Sequence, residues 1–279
     1  MKLRHVVLFI VVLAGAGLLL RGLPDARKHS DSLRVVTCNI GDLNGRHADL
    51  DRVVEILSEP PRADVVLLQE VWGKAVAAEA ARRLKMGHYV YANYKRYRHY
   101  GLAILADRPL RGRETYFFPS SQDSRGVLFA RVSLAGEPVT VASVHLDRIQ
   151  KVRAQDTVDI SMGEALSLLQ EEMTRDTVRS RCVEDLLRWL PERYRRRLVL
   201  GGDFNTVPLS KAIRLMNGRF KDALWPSVDY FKGSYSKSPL PLPPRLDYIF
   251  HTEDLVCTSS GIASRPAGDH HPVEAVFGL

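Results

Sequence analysis

The feature that most limits the fold is a set of short apolar runs that do not alternate with polar residues. "ADVVLLQEV" (63–71) and "LVLGGDFN" (198–205) carry apolar or glycine residues at consecutive positions before they end on polar ones. A strand with one wet face alternates apolar and polar side chains, so these runs need cover on both faces. Between the runs lie helical spacings: "ADLDRVVEILSE", closed by Pro60-Pro61, and "GKAVAAEAARRLK". From Tyr89 to Leu146 short strands dominate, in "YVYANY", "GLAILAD", "VLFARVSL" and "PVTVASVHL". Arg148 to Pro191 reads as mostly helical, and "RLDYIFH", "VCTSSGIA" and "HPVEAVF" supply the last strands. Strands with interspersed helices give an α/β domain. Two packed sheets with helices outside satisfy the pattern, and so does one doubly wound sheet.

The first twenty residues differ. "MKLRH" is basic, Val6 to Leu20 is an uncharged apolar run of 15 residues, and Arg21 ends it. This is the layout of a signal peptide or signal anchor over 1–21, followed by a turn-rich linker over 22–32 and the folded domain over 33–279. Lys2 and Arg4 predict a cytoplasmic N-terminus with the domain outside: periplasmic, secreted, or held at the membrane by residues 6–20. Among 279 residues, 45% are hydrophobic, enough for a sizeable core, and the formal charge is +8, which suits a polyanion such as nucleic acid or an anionic lipid surface. Three cysteines, Cys38, Cys182 and Cys257, fit neither a zinc pattern nor a disulfide framework.

Polar residues recur where the apolar runs stop. Asn39 ends "VVTCN", Glu70 follows "VVLLQ", His145 ends "VTVASVH", and Asp203 and Asn205 end "LVLGGDFN". Asp247 sits in "RLDYIF", and Asp269, His270 and His271 precede "PVEAVF". Each alone reads as a turn, a helix-starting acid or a bonded core histidine. Together they form an oxygen-rich set without thiolate, which suits a hard cation such as Mg²⁺ or Mn²⁺ rather than structural zinc. The histidines then suit proton transfer or stabilisation of developing charge.

The motifs "TCNI", "LLQEV", "SVHLD", "GGDFN", "RLDYI" and "GDHHPV", in this order over residues 33–278, resemble the endonuclease/exonuclease/phosphatase superfamily. The resemblance implies a four-layered α/β/β/α sandwich of two packed mixed β-sheets flanked by helices, and Mg²⁺-dependent phosphoester hydrolysis. It implies metal binding by Glu70 with Asn39 and, nearby, Asp269. It makes Asp203 the residue that activates or orients water, with Asn205 as its phosphate- or metal-holding partner. It makes His270 the catalytic histidine, oriented by Asp247, and places His145 and Arg125 against phosphate. Of the adjacent histidines, His270 is chosen over His271 because neighbouring strand residues face opposite ways.

The expected substrate is a phosphodiester, with nucleic acid ahead of lipid headgroups, and the expected state is a monomer. The basic-aromatic run "YANYKRYRHYG" (91–101) reads either as a loop gripping a phosphate backbone and stacking on bases or as a solvated hairpin. A phospholipase C-like or phosphoinositide phosphatase-like enzyme is the alternative, and a non-catalytic binding module ranks last, because Glu70, Asp203 and His270 are all present. "RYRRRL" (193–198) reads as a solvated helix end, and the insert 148–191 as an extended helical connection.

Overall fold

The computed structural model describes residues 31–41, 49–96, 99–149, 161–238 and 243–279. The leader 1–21, most of the linker, Tyr97, Arg98 and residues 150–160 of the insert lie outside the described residues. No helix among the described residues is long and apolar enough to cross a membrane.

The first apolar run, Leu33–Asn39, forms β1. The helix α1, Leu50–Leu57, is capped by Asp49 and buries Val53, Ile56 and Leu57, the one-face spacing of an amphipathic helix. The strand β2, Val65–Val71, is buried at every position, as its unbroken apolar pattern requires. Helix α2, Lys74–Arg83, buries Ala77, Ala80 and Ala81, small residues that let it lie close to the sheet. A hairpin follows, β3 His88–Asn93 and β4 Gly101–Ala106. Then come β5 Arg111–Phe117, β6 Gly126–Leu134 and β7 Glu137–His145. Two helices with capping boxes, α3 Met162–Thr174 and α4 Val178–Trp189, precede β8 Leu198–Asp203. The short helix α5, Lys211–Asn217, leads to β9 Lys221–Asp222. The chain ends with β10 Asp247–His251, β11 Val256–Ile262 and β12 Val273–Gly278.

The strands make two six-stranded mixed sheets, in the orders β11-β12-β1-β2-β4-β3 and β5-β6-β7-β8-β10-β9. Apolar side chains such as Val35, Leu67, Ile104, Leu128, Val141 and Ile249 fill the space between them. On the outside, α1 and α2 cover the first sheet and α4 and α5 the second. This is the four-layered α/β/β/α sandwich, and it excludes the single doubly wound sheet.

β1 is parallel to β2, and β7 is parallel to β8. Their C-terminal ends meet at one pole of the sandwich, because the sheets touch there. A Cβ on Gly201 would lie 2.9 Å from Leu67 and 3.2 Å from Thr37 of the opposite sheet, and one on Gly202 would lie 1.9 Å from the Val144 carbonyl oxygen. The two glycines of "LVLGGDFN" therefore let β8 approach both the first sheet and its neighbour β7. All three cysteines are free, Cys38 and Cys182 buried and Cys257 half-buried.

Candidate active site

Strand register assembles the floor of the site. His145 on β7 lies beside Asp203 on β8, and Asp203 lies opposite Asp247 on β10. Asp247 thus opens its strand instead of closing it, since β10 runs against β8. Across the sandwich, Asn39 donates from Nδ2 to Asp203 Oδ2 at 2.9 Å and accepts at Oδ1 from the Gly41 N–H at 2.9 Å.

Glu70 reaches the same pole by a local irregularity. Gln69 already points between the sheets, bonding Thr37 Oγ1 at 3.1 Å and Ser143 Oγ at 3.0 Å. Strand alternation would send Glu70 to the other face. The β2–β4 register shifts between Leu68 and Val71, and Glu70 has φ 60°, so its side chain also turns inward. A non-glycine residue in this region costs roughly 1–3 kcal/mol, and such strain gathers at functional sites. A Cβ on Gly41 would lie 1.9 Å from Glu70 Oε2, so only glycine leaves room for the carboxylate.

Asp203 accepts at Oδ1 from the Asn205 N–H at 2.8 Å, and at Oδ2 from Asn39 and from Asn205 Nδ2 at 3.2 Å. Asn205 gives its second amide hydrogen to the Leu146 carbonyl at 3.0 Å; its φ of 49° is one that Asn tolerates. Burial raises the Asp203 carboxyl to about 7, with His270 opposing and Asp247 adding to the rise. Near neutral pH it exchanges a proton readily.

His270 donates from Nδ1 to Asp247 Oδ2 at 2.7 Å, and its Nε2 lies 3.8 Å from Asp203 Oδ2 and 3.9 Å from Asp269 Oδ1. Burial alone would lower its pKa, but Asp247 and Asp203 outweigh it and raise the imidazole to about 10. His271 instead faces the Ala263 carbonyl at 2.9 Å, outside this cluster. Ser234, absent from the sequence reading, fixes Asp247: its hydroxyl donates to Oδ2 at 2.7 Å and accepts the Asp247 N–H at 3.0 Å. Tyr235, also missed, packs its ring 5.0 Å from the His270 ring. Neither residue carries a periodic or motif signal.

His145 and Arg125 sit beneath the carboxylates, at 0% and 1% exposure. His145 Nδ1 faces the Tyr94 hydroxyl at 2.7 Å and Arg125 Nη1 at 3.3 Å. Nε2 in turn faces the donor Asn205 Nδ2 at 3.1 Å. Burial, and then Arg125, keep this imidazole neutral. Its Nε2 lies 3.5 Å from Asp203 Oδ2 and 3.7 Å from Glu70 Oε1. The Arg125 guanidinium stacks 4.5 Å from the Tyr94 ring centre and 5.5 Å from that of Tyr100, and comes within 3.8 Å of Glu70. Tyr94 and Tyr100 are thereby turned into the protein and are not offered to bases, whereas Lys95, Arg96 and His99 stay exposed.

The insert secures the loops of this floor. Arg179 on α4 pairs with Glu172 on α3 and donates to the Arg148 carbonyl at 3.1 Å, while Thr206 donates to Glu172 at 2.7 Å. Asp147 accepts the Gln122 N–H at 2.6 Å and the Ser121 hydroxyl, which in turn accepts the Arg125 N–H at 2.7 Å.

The donors fit a hard divalent cation. Glu70, Asn39 and Asp269 present oxygens at one buried pole, Glu70 and Asp203 converge on His145 Nε2, and Asp247 Oδ1 is buried without a hydrogen-bond partner. Asp203, Asp247 and His270 also offer three atoms within 4.8 Å of one another.

No curated protein sequence matches the chain. Among solved structures it is similar to an endonuclease/exonuclease/phosphatase protein of Bacteroides vulgatus, with TM-score 0.66 and 18% identity over 89% of this chain and 99% of that one. It is similar to another from Beutenbergia cavernae DSM 12333, with TM-score 0.63 and 20% identity over 89% and 72% of the two chains. A third is TDP2 of D. rerio complexed with single strand DNA product, with TM-score 0.58 and 17% identity over 89% and 99%. These likenesses show the fold. The profile of the Endonuclease/Exonuclease/phosphatase family matches residues 36–270, and on that match the chain belongs to this family of metal-dependent phosphoester hydrolases.

Proposed function

We propose that the chain is a Mg²⁺-dependent phosphodiesterase that acts on nucleic acid outside the cytoplasm, as a monomer. The observation that carries the reading is the pairing of Asp203, raised to about 7, with an imidazolium at His270 raised to about 10, across one 3.8 Å gap. Asp203 accepts the proton of the attacking water. His270, held by Asp247 and Ser234, presents its Nε2 proton to charge developing on the phosphoryl or leaving oxygen. His145 contacts the phosphate, with Arg125 and Tyr94 as positioning residues. A divalent cation held by Glu70 and Asn39, with Asp269 close by, would polarise the phosphoryl group. The formal charge of +8 and the exposed Lys95, Arg96 and His99 support a polyanionic substrate. Every named group comes from one chain.

One observation favours hydrolysis of lipid headgroups instead. Trp225, Val228 and Phe231 are 65%, 88% and 78% exposed on the turn that leads into Ser234 and Tyr235. The deciding experiment offers plasmid DNA, RNA, sphingomyelin and phosphoinositides to the full chain, with Mg²⁺ and with chelator. Mg²⁺-dependent cutting of nucleic acid supports the first reading. Headgroup release with nucleic acids left intact replaces it with the second.

A further inference from the structure

The strand ends remote from the site carry a second concentration of charge. A cavity of about 210 Å³ is lined by Arg131, Pro138, Thr140, Arg193, Arg196 and Arg197. Thr140 lies five residues before His145 on β7, which places the cavity roughly 17 Å from the site's floor. Arg131 lies directly opposite Arg111 in the β5–β6 pair, and both are exposed. Like charges directly opposed across strands are unfavourable. Among the described residues, neither makes a direct ion pair with a carboxylate; Arg131 stands 5.8 Å over the Tyr194 ring and helps lower the nearby Glu114 carboxyl. The other arginines have partners: Arg193 with the half-buried Glu114 at 2.5 Å, Arg196 with the exposed Asp254 at 3.6 Å, and Arg197 with the exposed Glu137. Exposed pairs contribute about 0–1 kcal/mol, so these guanidiniums re-pair readily with a phosphate, whose oxygens match their fork.

The fold also begins at this level. Asn39 lies against Asp203 and Thr37 against Gly201, and the same offset along β1 and β8 brings Leu33 level with Arg197. The twelve residues Arg21 to Ser32 separate β1 from the apolar run Val6–Leu20 and span at most ~43 Å when extended.

We propose that the arginine face formed by Arg111, Arg131, Arg193, Arg196 and Arg197 docks on anionic lipid headgroups of the membrane that holds residues 6–20. The inference rests on the reading of that run as an anchor. It turns the catalytic pole away from the same bilayer, toward a soluble polyanion and away from that membrane's own lipids.

The test places the full chain with vesicles of phosphatidylcholine, alone or mixed with phosphatidylglycerol, and follows flotation and the rate of tryptic cleavage after Arg195. Phosphatidylglycerol should slow cleavage. The R111Q/R131Q/R196Q variant should lose this protection while keeping the wild-type Tm. At roughly fivefold per arginine, the loss is on the order of a hundredfold, and added NaCl should reproduce it in the wild type. Equal cleavage on both vesicles by a chain that floats with both overturns the docking face and leaves the anchor standing. Failure to float with phosphatidylcholine removes the anchor, yet flotation with phosphatidylglycerol that the variant loses still supports the face. Flotation with neither overturns both. A single-stranded oligonucleotide that protects Arg195 on phosphatidylcholine as strongly as phosphatidylglycerol does reassigns the face to nucleic acid.

Discussion

At the scale of single residues, the site depends on side chains whose neighbours leave them one position. Asp203 accepts from three donors, so Asp203→Asn removes the proton acceptor and sets an amide NH2 against at least one of those donors. The expected outcome is a loss of at least ~10²–10⁴ in kcat, measured on plasmid DNA, with a Tm lowered by the lost hydrogen bond. Gly41→Ala is expected to push the Glu70 carboxylate aside, since the new methyl would sit 1.9 Å from Oε2. It should weaken Mg²⁺ binding by calorimetry and cost about 1–3 kcal/mol in stability. His270 gives a pH test. Its imidazole titrates near 10 in the fold against 6.5 as its ordinary value, so the folded state holds a proton that the unfolded state has released between those limits. The stability from this group is complete below pH 6.5 and is lost as pH rises through about 10. In the metal-free protein, the Tm advantage of wild type over His270→Gln should therefore shrink from pH 6.5 to 10. An advantage that grew over this range would show that the imidazole is neutral. Asp203, Glu70 and Asn39 were visible in the sequence because each closes or follows an apolar run, and His270 because it precedes one. Ser234 and Tyr235 were not, because a small polar residue and a tyrosine in a loop reveal a role only through contacts with residues distant in the chain.

At the scale of elements, the unbroken apolar runs of β2 and β8 gave their burial directly, and the helical spacing gave α1 and α2. The edge strand β5 was missed. Its sequence, "RGRETYF", carries charge at Arg111, Arg113 and Glu114, as edge strands often do, and shows no clean alternation. The bulge at Glu70 was also hidden, since alternation predicts the opposite facing and only the paired strand shows the register shift. The insert proved to be a brace. Glu172→Ala would leave the buried Arg179 guanidinium without its carboxylate and release Thr206. A destabilisation of about 3–5 kcal/mol in urea unfolding is expected. A value below ~1 kcal/mol would show that α3 and α4 are passengers on the second sheet.

At the scale of the whole molecule, two sheets that meet at the ends of β1, β2, β7 and β8 bring residues far apart in the chain, such as Asn39 and His270, into one buried cluster. Close approach at Gly201 and Gly202 makes Asn39 and Asp203 neighbours, and the "GG" of the sequence records that need. The motif order identified the family, but the sandwich geometry was required to show that Arg125 and His145 lie under the carboxylates. It also showed that the basic-aromatic run turns Tyr91, Tyr94 and Tyr100 inward. We propose that this cluster hydrolyses phosphodiesters through the Asp203–His270 pair. Its most direct test is the nicking of supercoiled plasmid DNA by the full chain in Mg²⁺, wild type beside His270→Ala. Nicking by the wild type, none in chelator, and a loss of at least ~10² in the variant with its fold retained are expected. Wild-type rates in His270→Ala would contradict the proposal.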